Sequence, residues 1–152
     1  MILALQSTMR CSEIMKRRIF TVHPESRVNE AARLMKAEQI GFLPVCDDAG
    51  RVLGVLTDRD IVLRVCAEGL APESTTVARI MTTDPVHCLP DDTLDHAEEL
   101  MLRHKTRRIL AVDAQGKLDG LITLADAAQY QEPQKTARWL RELSARRFRV
   151  ER

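Results

Sequence analysis

Two short stretches decide the fold of this chain: residues 54–60, Gly-Val-Leu-Thr-Asp-Arg-Asp, and residues 120–126, Gly-Leu-Ile-Thr-Leu-Ala-Asp. In each, a glycine precedes two apolar residues, a threonine follows, and an aspartate comes three residues after the threonine. An apolar run that ends in Thr-x-x-Asp is typical of a strand that passes into a helix. We call them junction 1 and junction 2, and each predicts such a strand-to-helix connection.

The two junctions belong to a longer internal repeat. Residues 12–61 align with residues 78–127 without a gap, at a constant offset of 66, and eleven of the aligned positions are identical. The identities fall at turns, at strand ends and on one helix face, as expected when two segments share a fold. The chain therefore predicts two copies of one supersecondary unit.

Each copy has the same predicted order of elements. In the first copy we predict a leading helix over 7–15, a strand at 20–22, a helix over 27–38 capped by Ser26, strands at 43–46 and 52–56, and a helix over 57–68. In the second, we predict a strand at 86–88, a helix capped by Asp92, strands at 108–112 and 118–122, and a helix from Thr123. The predicted fold class is α/β (α+β), with two β-α-β-β-α units packed sheet to sheet in pseudo-twofold symmetry, plus a C-terminal helix.

These elements predict a division of the chain into four parts. The first motif spans residues 7–69, a linker spans 70–76, and the second motif spans 77–131. Residues 132–152 form a basic helix or tail, since residues 135–152 contain seven basic and two acidic side chains. We expect this helix to be amphipathic and either solvated or packed in a dimer, rather than bound to nucleic acid.

Composition excludes several classes of protein. The 152 residues are 45% hydrophobic and 30% charged, as is ordinary for a globular protein, and 23 basic against 22 acidic residues do not favour a polyanion partner. No apolar run is long enough to span a membrane and no signal peptide is evident, so we expect a cytoplasmic protein. The four cysteines have no metal-binding spacing, so we expect reduced thiols at Cys11, Cys46, Cys66 and Cys88.

Both copies resemble the motifs of the cystathionine-β-synthase (CBS) domain family. The resemblance rests on the lead segments, residues 12–15 (Ser-Glu-Ile-Met) and 78–81 (Ala-Arg-Ile-Met), on residues 41–45 (Gly-Phe-Leu-Pro-Val), and on the two junctions. It covers roughly residues 11–130 and is similar to a Bateman module of the small stand-alone bacterial type. The resemblance implies a non-catalytic sensor of adenosine nucleotides that forms homodimers and signals to a partner protein.

The chemistry of the junctions is compatible with such a ligand. A helix N-terminus and a threonine hydroxyl favour a phosphate, whereas an aspartate repels phosphate and suits the two hydroxyl donors of a ribose. Apolar residues near each junction would enclose the adenine, in clefts between the repeats. The predicted nucleotide-binding residues are Thr57, Arg59, Asp60, Thr123, Asp126, Arg107, Arg108, Ile19, Phe20, Leu43, Pro44, Pro85, Val86 and Ile109.

Three other interpretations of these residues stay open. Thr57 with Asp60 and Thr123 with Asp126 also form the pattern of a helix capping box, which needs no ligand. The cysteines and His87 would suit a redox- or metal-responsive protein that binds no nucleotide. The chain would otherwise be a structural or interaction module. No catalytic constellation recurs in the sequence, and we expect neither an enzyme nor a required cofactor.

Overall fold

The computed structural model describes residues 8–145 and has seven α-helices within that range. They are α1 (Cys11–Ile14), α2 (Val28–Glu38), α3 (Asp58–Ile61), α4 (Val77–Ile80), α5 (Leu94–Arg103), α6 (Leu124–Ala128) and α7 (Pro133–Ser144). A π-helical turn, Val62–Cys66, continues α3. No helix in this part of the chain has the length and hydropathy needed to cross a membrane.

Six strands form two three-stranded sheets. The strands are β1 (Phe42–Cys46), β2 (Val52–Thr57), β3 (Thr82–Thr83), β4 (His87–Cys88), β5 (Arg108–Val112) and β6 (Leu118–Thr123). One sheet has the order β1-β2-β3 and the other the order β4-β5-β6. The expected mixture of helices with two small sheets, an α+β fold, is confirmed.

The chain separates into two compact units, and each unit contains segments from both copies of the repeat. Within the described residues, unit 1 contains 8–17, 86–111 and 119–145, and unit 2 contains 18–85 and 112–118. Each lead segment, taken from here on with its flanking residues as 11–17 and 77–83, therefore belongs to the same unit as the junction of the other copy. The predicted four-part division describes the sequence repeat and stays a prediction. Its parts are residues 7–69, 70–76, 77–131 and 132–152.

Backbone pairing fixes the lead segments where they lie. In unit 1, Lys16 N donates to Leu121 O and Leu121 N donates to Lys16 O, at 2.9 and 3.0 Å. In unit 2, the corresponding residues are Thr82 in β3 and Val55 in β2, which pair antiparallel. The same pairing at matched repeat positions shows that each sheet closes on one side with a lead segment.

Each unit has a hydrophobic core of aliphatic side chains. In unit 2 the core includes the fully buried Val28, Leu43 and Leu56, from α2, β1 and β2. In unit 1 the C-terminal helix α7 contributes Trp139 and Leu143, each only 3% exposed. The helix predicted at the basic C-terminus is thus amphipathic. The expectation that it is solvated or packed in a dimer was wrong for its apolar face, which is part of the core of unit 1. The predicted tail after residue 145 lies outside the described residues.

Several predicted boundaries were wrong by one or more residues. Residues 20–22 do not form a strand, because Val22 makes only a single parallel bridge with Val45. The N-cap of α2 is Arg27 rather than Ser26. The N-cap of α5 is Thr93, whose hydroxyl accepts from His96 N at 3.2 Å. The predicted cap, Asp92, accepts instead from Leu89 N, because its side chain satisfies the turn before the helix.

Candidate functional site

Junction 1 is a strand end that turns into a helix through a reciprocal cap. Thr57 is the N-cap of α3, and its hydroxyl accepts a hydrogen bond from Asp60 N at 3.1 Å. Asp60 Oδ2 in turn accepts from Thr57 N at 2.9 Å. These two bonds satisfy donors that the start of a helix otherwise leaves unpaired. The capping interpretation of Thr57 and Asp60 is therefore realised in the structure.

Junction 2 repeats this geometry. The Thr123 hydroxyl accepts from Asp126 N at 3.1 Å and donates to Asp126 Oδ2 at 2.5 Å, and Thr123 N donates to the same oxygen at 3.1 Å. The threonine and aspartate thus use one carboxylate oxygen for the cap at both junctions. The second carboxylate oxygen, Oδ1, has a different partner.

A basic side chain lies against the second oxygen of each aspartate. In unit 1, Lys16 Nζ lies 2.9 Å from Asp126 Oδ1, and in unit 2, Arg64 Nη2 lies 3.4 Å from Asp60 Oδ1. The aspartate side chains are 14% and 15% exposed, whereas the lysine and arginine side chains are 61% and 44% exposed. Each junction therefore holds a largely buried carboxylate under a cation that reaches solvent.

The Asp126 carboxyl is ionised at neutral pH. Burial alone would raise its pKa, but hydrogen bonds from Thr123 and Lys16 outweigh burial and lower the pKa below its usual range. An ionised carboxylate is an acceptor only, with room for about four hydrogen bonds on its two oxygens. Asp126 therefore keeps accepting capacity beyond its present partners.

The first backbone amides of α3 already have partners. Asp58 N donates to Gly41 O at 3.1 Å, and Arg59 N donates to Asp58 Oδ1 at 2.7 Å. At junction 2, Leu124 N donates to Arg107 O at 2.8 Å. A phosphate at either helix start would have to replace some of these bonds, and sequence patterns carry no signal for them.

The glycine that opens each junction lies where a lead segment approaches closely. A Cβ atom on Gly54 would lie 2.6 Å from Thr82 O and 3.0 Å from Met81 Sδ. A Cβ atom on Gly120 would lie 2.5 Å from Met15 Cγ and 2.8 Å from Met15 Cβ. A Cβ atom at either position would overlap these neighbours and force them to shift, so packing favours glycine at both.

The predicted apolar residues divide by unit and by exposure. Ile19, Phe20, Leu43, Pro44 and Pro85 belong to unit 2, with junction 1, whereas Val86 and Ile109 belong to unit 1, with junction 2. Leu43 is fully buried and Ile109 is 1% exposed, so both are core side chains, while Phe20 is 38% exposed. Their contact with an adenine stays a prediction.

The predicted arginines are all surface residues. Arg59 lies in α3 at junction 1, while Arg107 and Arg108 precede and begin β5 in unit 1. All three are exposed. Their role as phosphate partners stays a prediction.

The cations on Asp60 and Asp126 were not identified from the sequence. Lys16 immediately follows the Ile-Met of its lead segment, and Arg64 lies four residues after Asp60 on the same helical stretch. The spacing of Arg64 was a usable signal, because residues four apart on a helix are neighbours. Lys16 offered no such signal, because its partner belongs to the other copy of the repeat.

Comparison with known proteins agrees with this architecture. The family described as "CBS domain" matches residues 11–66 and 77–132. The CBS domain-containing protein YhcV of Bacillus subtilis is 38% identical over 125 residues, which are 82% of this chain and 87% of that protein. The protein CBSX2, whose crystal structure contains AMP, superposes with a TM-score of 0.70 at 27% identity, covering 80% of this chain and 95% of that one.

A third relative binds a metal. Hypoxic response protein 1 of Mycobacterium tuberculosis is 30% identical over 118 residues, which are 78% of this chain and 82% of that protein. Its crystal structure, with two coordinated zinc ions, has a TM-score of 0.74 and 29% identity, covering 82% of this chain and 100% of that one. Residues 8–145 here contain no group of three or more His, Cys, Asp or Glu side chains placed to hold a metal ion.

The two family matches account for both copies of the repeat, each with its strand-to-helix junction. The relatives share the fold over most of their length and most of this chain. This chain belongs to the CBS domain family and carries a pair of CBS domains.

Proposed function

We propose that this chain is a non-catalytic regulatory module that binds an adenosine nucleotide of the AMP, ADP or ATP kind at one or both junctions. The ligand state would be passed to a partner protein, which the sequence does not name. We also propose that the module acts as a homodimer in the cytoplasm. The AMP complex of CBSX2, a structural neighbour at 27% identity, supports the class of ligand.

One observation carries the ligand proposal: both aspartates use one oxygen for the cap and direct the other to an exposed cation. A helix cap needs only the first of these contacts. The second oxygen of Asp60 or Asp126 is an acceptor suited to the hydroxyl donors of a ribose. The cap thus holds the carboxylate in place while its other oxygen binds the sugar.

Lys16 and Arg64, the cations at the two aspartates, also take part when the ribose binds. The Lys16 side chain is 61% exposed, so its ammonium is free to turn toward solvent. The Arg64 guanidinium is held over junction 1, because its Nη1 donates to Ile80 O at 2.6 Å, and only its other nitrogen faces Asp60. When a ribose hydroxyl donates to Oδ1, the displaced ammonium or guanidinium remains close by and pairs with the phosphate. The ligand would therefore replace one ion pair with another, and no charge would be left without a partner.

A thermal-shift and calorimetry series tests the ligand. Adenine, adenosine, AMP, ADP, ATP, S-adenosylmethionine and NAD are compared, with IMP and GMP as base controls. A ligand at a hundred times its Kd adds about 2.7 kcal/mol to the free energy of unfolding, so a binder raises Tm clearly. The proposal fails if no adenosine compound raises Tm or gives a binding heat.

Asparagine variants separate binding from capping. Asp60→Asn and Asp126→Asn keep one side-chain oxygen for the cap but lose the charge and one acceptor. We expect the free energy of unfolding of each variant to lie within about 1 kcal/mol of that of wild type. The variant at the occupied junction should bind the nucleotide roughly ten- to a hundredfold more weakly. Asp60→Ala and Asp126→Ala should lose the cap as well. Equal binding in both asparagine variants and wild type would place the ligand elsewhere.

The homodimer and the partner need separate tests. Light scattering after size-exclusion chromatography gives the mass of the particle, and a mass of one chain would contradict the dimer. Crosslinking in cells, with and without the identified ligand, tests the partner. A set of crosslinked proteins that is the same for wild type and for the binding-deficient asparagine variant would argue against ligand-dependent signalling.

A further inference from the structure

Two cysteines from distant parts of the chain meet inside unit 1. Cys11 lies in α1 and Cys88 in β4; they are 0% and 2% exposed, and the two Sγ atoms are 3.7 Å apart. Both are free thiols. The other two cysteines are placed differently, since Cys66 is exposed and Cys46 belongs to unit 2.

The pair joins the lead segment to the sheet of unit 1. Cys11 N donates to Asp92 O at 2.8 Å, and Met15 N donates to Cys11 O at 2.9 Å, so the turn of α1 is built on Cys11. Cys88 is held by parallel pairing of β4 with β5, opposite Ala111. The residues after α1 are Met15, which packs on Gly120, and Lys16, which pairs with Asp126.

We propose that Cys11 and Cys88 form a reversible intramolecular disulfide, which ties the lead segment to β4 when the thiols meet a low-molecular-weight disulfide such as oxidised glutathione. The proposal does not depend on nucleotide binding. A disulfide needs its sulfurs about 2.05 Å apart, so the two sulfurs approach by less than 2 Å.

The step balances by thiol–disulfide exchange. The Cys11 thiolate attacks one sulfur of the small disulfide, forms a mixed disulfide and releases one thiolate of the small molecule. The Cys88 thiol then loses its proton and attacks the Cys11 sulfur, which releases the second small thiol. Two protein thiols are oxidised, and one small disulfide is reduced to two thiols.

The surroundings assign the roles of the two sulfurs. The hydrogen bond from Cys88 lowers the pKa of Cys11 in spite of burial, and the same contact together with burial raises the pKa of Cys88. Cys11 is therefore the attacking thiolate and Cys88 resolves the mixed disulfide. Because both sulfurs are buried, the reagent reaches Cys11 when α1, which has only four residues, opens locally.

The test uses a protein in which only this pair remains, the double variant Cys46→Ala/Cys66→Ser. The folded protein is treated with oxidised glutathione and digested with trypsin. The expected product joins the peptide of residues 11–16 to that of residues 80–103, with the loss of two hydrogen atoms from the intact mass. Dithiothreitol should reverse it. Oxidation should raise Tm by on the order of 5 °C and slow amide exchange at Met15.

Matched variants and a denaturant control show whether the crosslink joins this pair in the folded protein. Adding Cys11→Ser or Cys88→Ser should abolish the crosslink and the Tm shift, with circular dichroism confirming that each variant is folded. If a serine variant does not fold, the crosslinked tryptic peptides of the double variant still identify the pair, because Cys11 and Cys88 are its remaining cysteines. The proposal is overturned if reagent that modifies Cys66 in wild type leaves the pair reduced, if the product is a stable glutathione adduct, or if the crosslink forms only in urea.

Discussion

Lys16 Nζ lies 2.9 Å from Asp126 Oδ1, although these residues belong to opposite copies of the sequence repeat. The contact is possible because the lead segment of the first copy pairs with β6 of the second copy in unit 1. Lys16 thus gives the Asp126 carboxylate a cationic partner. Among the described contacts, no residue of the second copy supplies one. The identity of residue 16 therefore bears on what junction 2 binds.

Replacing Lys16 by methionine should weaken phosphate-bearing ligands selectively. The substitution keeps the aliphatic stem and removes the charge that we propose pairs with phosphate. We expect AMP and ATP affinity at junction 2 to fall about tenfold, as for loss of one charge-assisted hydrogen bond, while adenosine affinity changes little. Isothermal calorimetry with the three ligands measures the difference.

Arg17→Met is the matched control for this variant. Arg17 is the next residue, and its guanidinium pairs with Asp119 Oδ1 at 2.6 Å, away from the capped aspartate. Arg17→Met breaks a pair between more exposed groups and should cost at most about 1 kcal/mol of stability. Lys16→Met leaves the largely buried Asp126 carboxylate with only its cap and should cost more, about 1–3 kcal/mol. An equal loss of adenosine and AMP affinity in Lys16→Met would refute the phosphate role.

Gly120→Ala should destabilise unit 1 through Met15. A Cβ atom at this position collides with the Met15 side chain, which is 8% exposed and cannot move into solvent without a loss of packing. We expect a cost of about 1–3 kcal/mol, typical of overpacking. Urea unfolding of the single and double variants measures it.

A double-mutant cycle identifies the partner of that collision. In Met15→Ala/Gly120→Ala, the shorter side chain relieves part of the overlap, so the double variant should lose less than the two single losses together. Met35→Ala with Gly120→Ala is the comparison, because Met35 belongs to the core of unit 2. Additive losses in the Met15 cycle would show that the glycine is needed for another reason.

The repeat in the sequence predicted most of the fold because its identities lie where backbone geometry is demanding. Strand β5 was predicted with its observed bounds, and β1, β2 and β6 were each one residue longer than predicted. The pairing of residues 20–22 was overestimated, because a sequence pattern does not indicate how many bridges an edge strand makes. Packing of each lead segment with the opposite copy was not predictable, because local periodicity carries no information on tertiary partners.

For the junctions, the sequence predicted both chemistries of Thr-x-x-Asp but could not choose between them. The caps at Thr57 and Thr123 are formed in the structure, and ligand binding stays a proposal.

Glu98 was also overlooked, although the sequence held a signal for it. Glu98 falls on Ala32 in the repeat alignment and lies one turn after the buried Leu94 of α5. A charged residue on the apolar face of a helix predicts a charged neighbour, which here is Lys135 of α7, with Nζ 3.1 Å from Glu98 Oε2.

The basic C-terminal helix holds unit 1 together through its apolar face. Trp139 is 3% exposed and Lys135 Nζ lies 5.2 Å from the centre of its ring, whereas the neighbouring Leu140 is 47% exposed. Trp139→Ala should cost about 3 kcal/mol or more, because it leaves a large cavity. Leu140→Ala, the control, should stay within about 0.5 kcal/mol of wild type. Similar losses in thermal or urea unfolding would contradict the burial of this face.

This packing changes how the nucleic-acid alternative is tested. Deleting the helix would expose core residues, so any lost binding would be confounded with unfolding. Arg138→Gln and Arg141→Gln change exposed charges instead and leave Trp139 in place. Salt-sensitive binding of nucleic acid that these variants weaken would support an interaction role, and no measurable binding by wild type would remove it.

Glu98 gives the stability of unit 1 a pH dependence. The side chain is 2% exposed, and neither oxygen has a hydrogen-bond partner of good geometry within the described chain. Lys135 Nζ lies 3.1 Å from Glu98 Oε2, while its hydrogen bond goes to Asp95 Oδ1 at 2.5 Å. Burial raises the pKa of Glu98 to about 7, and Lys135 opposes this only in part.

The folded protein therefore holds a proton that the unfolded chain has already lost at mildly acidic pH. Below the ordinary pKa of 4.5 both states are protonated and the contribution of Glu98 to stability is complete. As pH rises from 4.5 through about 7, this contribution is lost at up to about 1.4 kcal/mol per pH unit. Wild type should thus be less stable at pH 8 than at pH 5, relative to a variant without this carboxyl.

Glu98→Gln removes the titrating group and keeps its shape, so its urea-unfolding free energy should change less between pH 5 and pH 8. The difference between wild type and variant isolates Glu98 from all other titrating groups. Glu99→Gln is the matched control, because Glu99 is 66% exposed and pairs on the surface with Arg103 at 3.3 Å. It should leave the pH profile of wild type unchanged. Parallel profiles for wild type and Glu98→Gln would mean that Lys135 keeps the buried carboxyl ionised throughout this range.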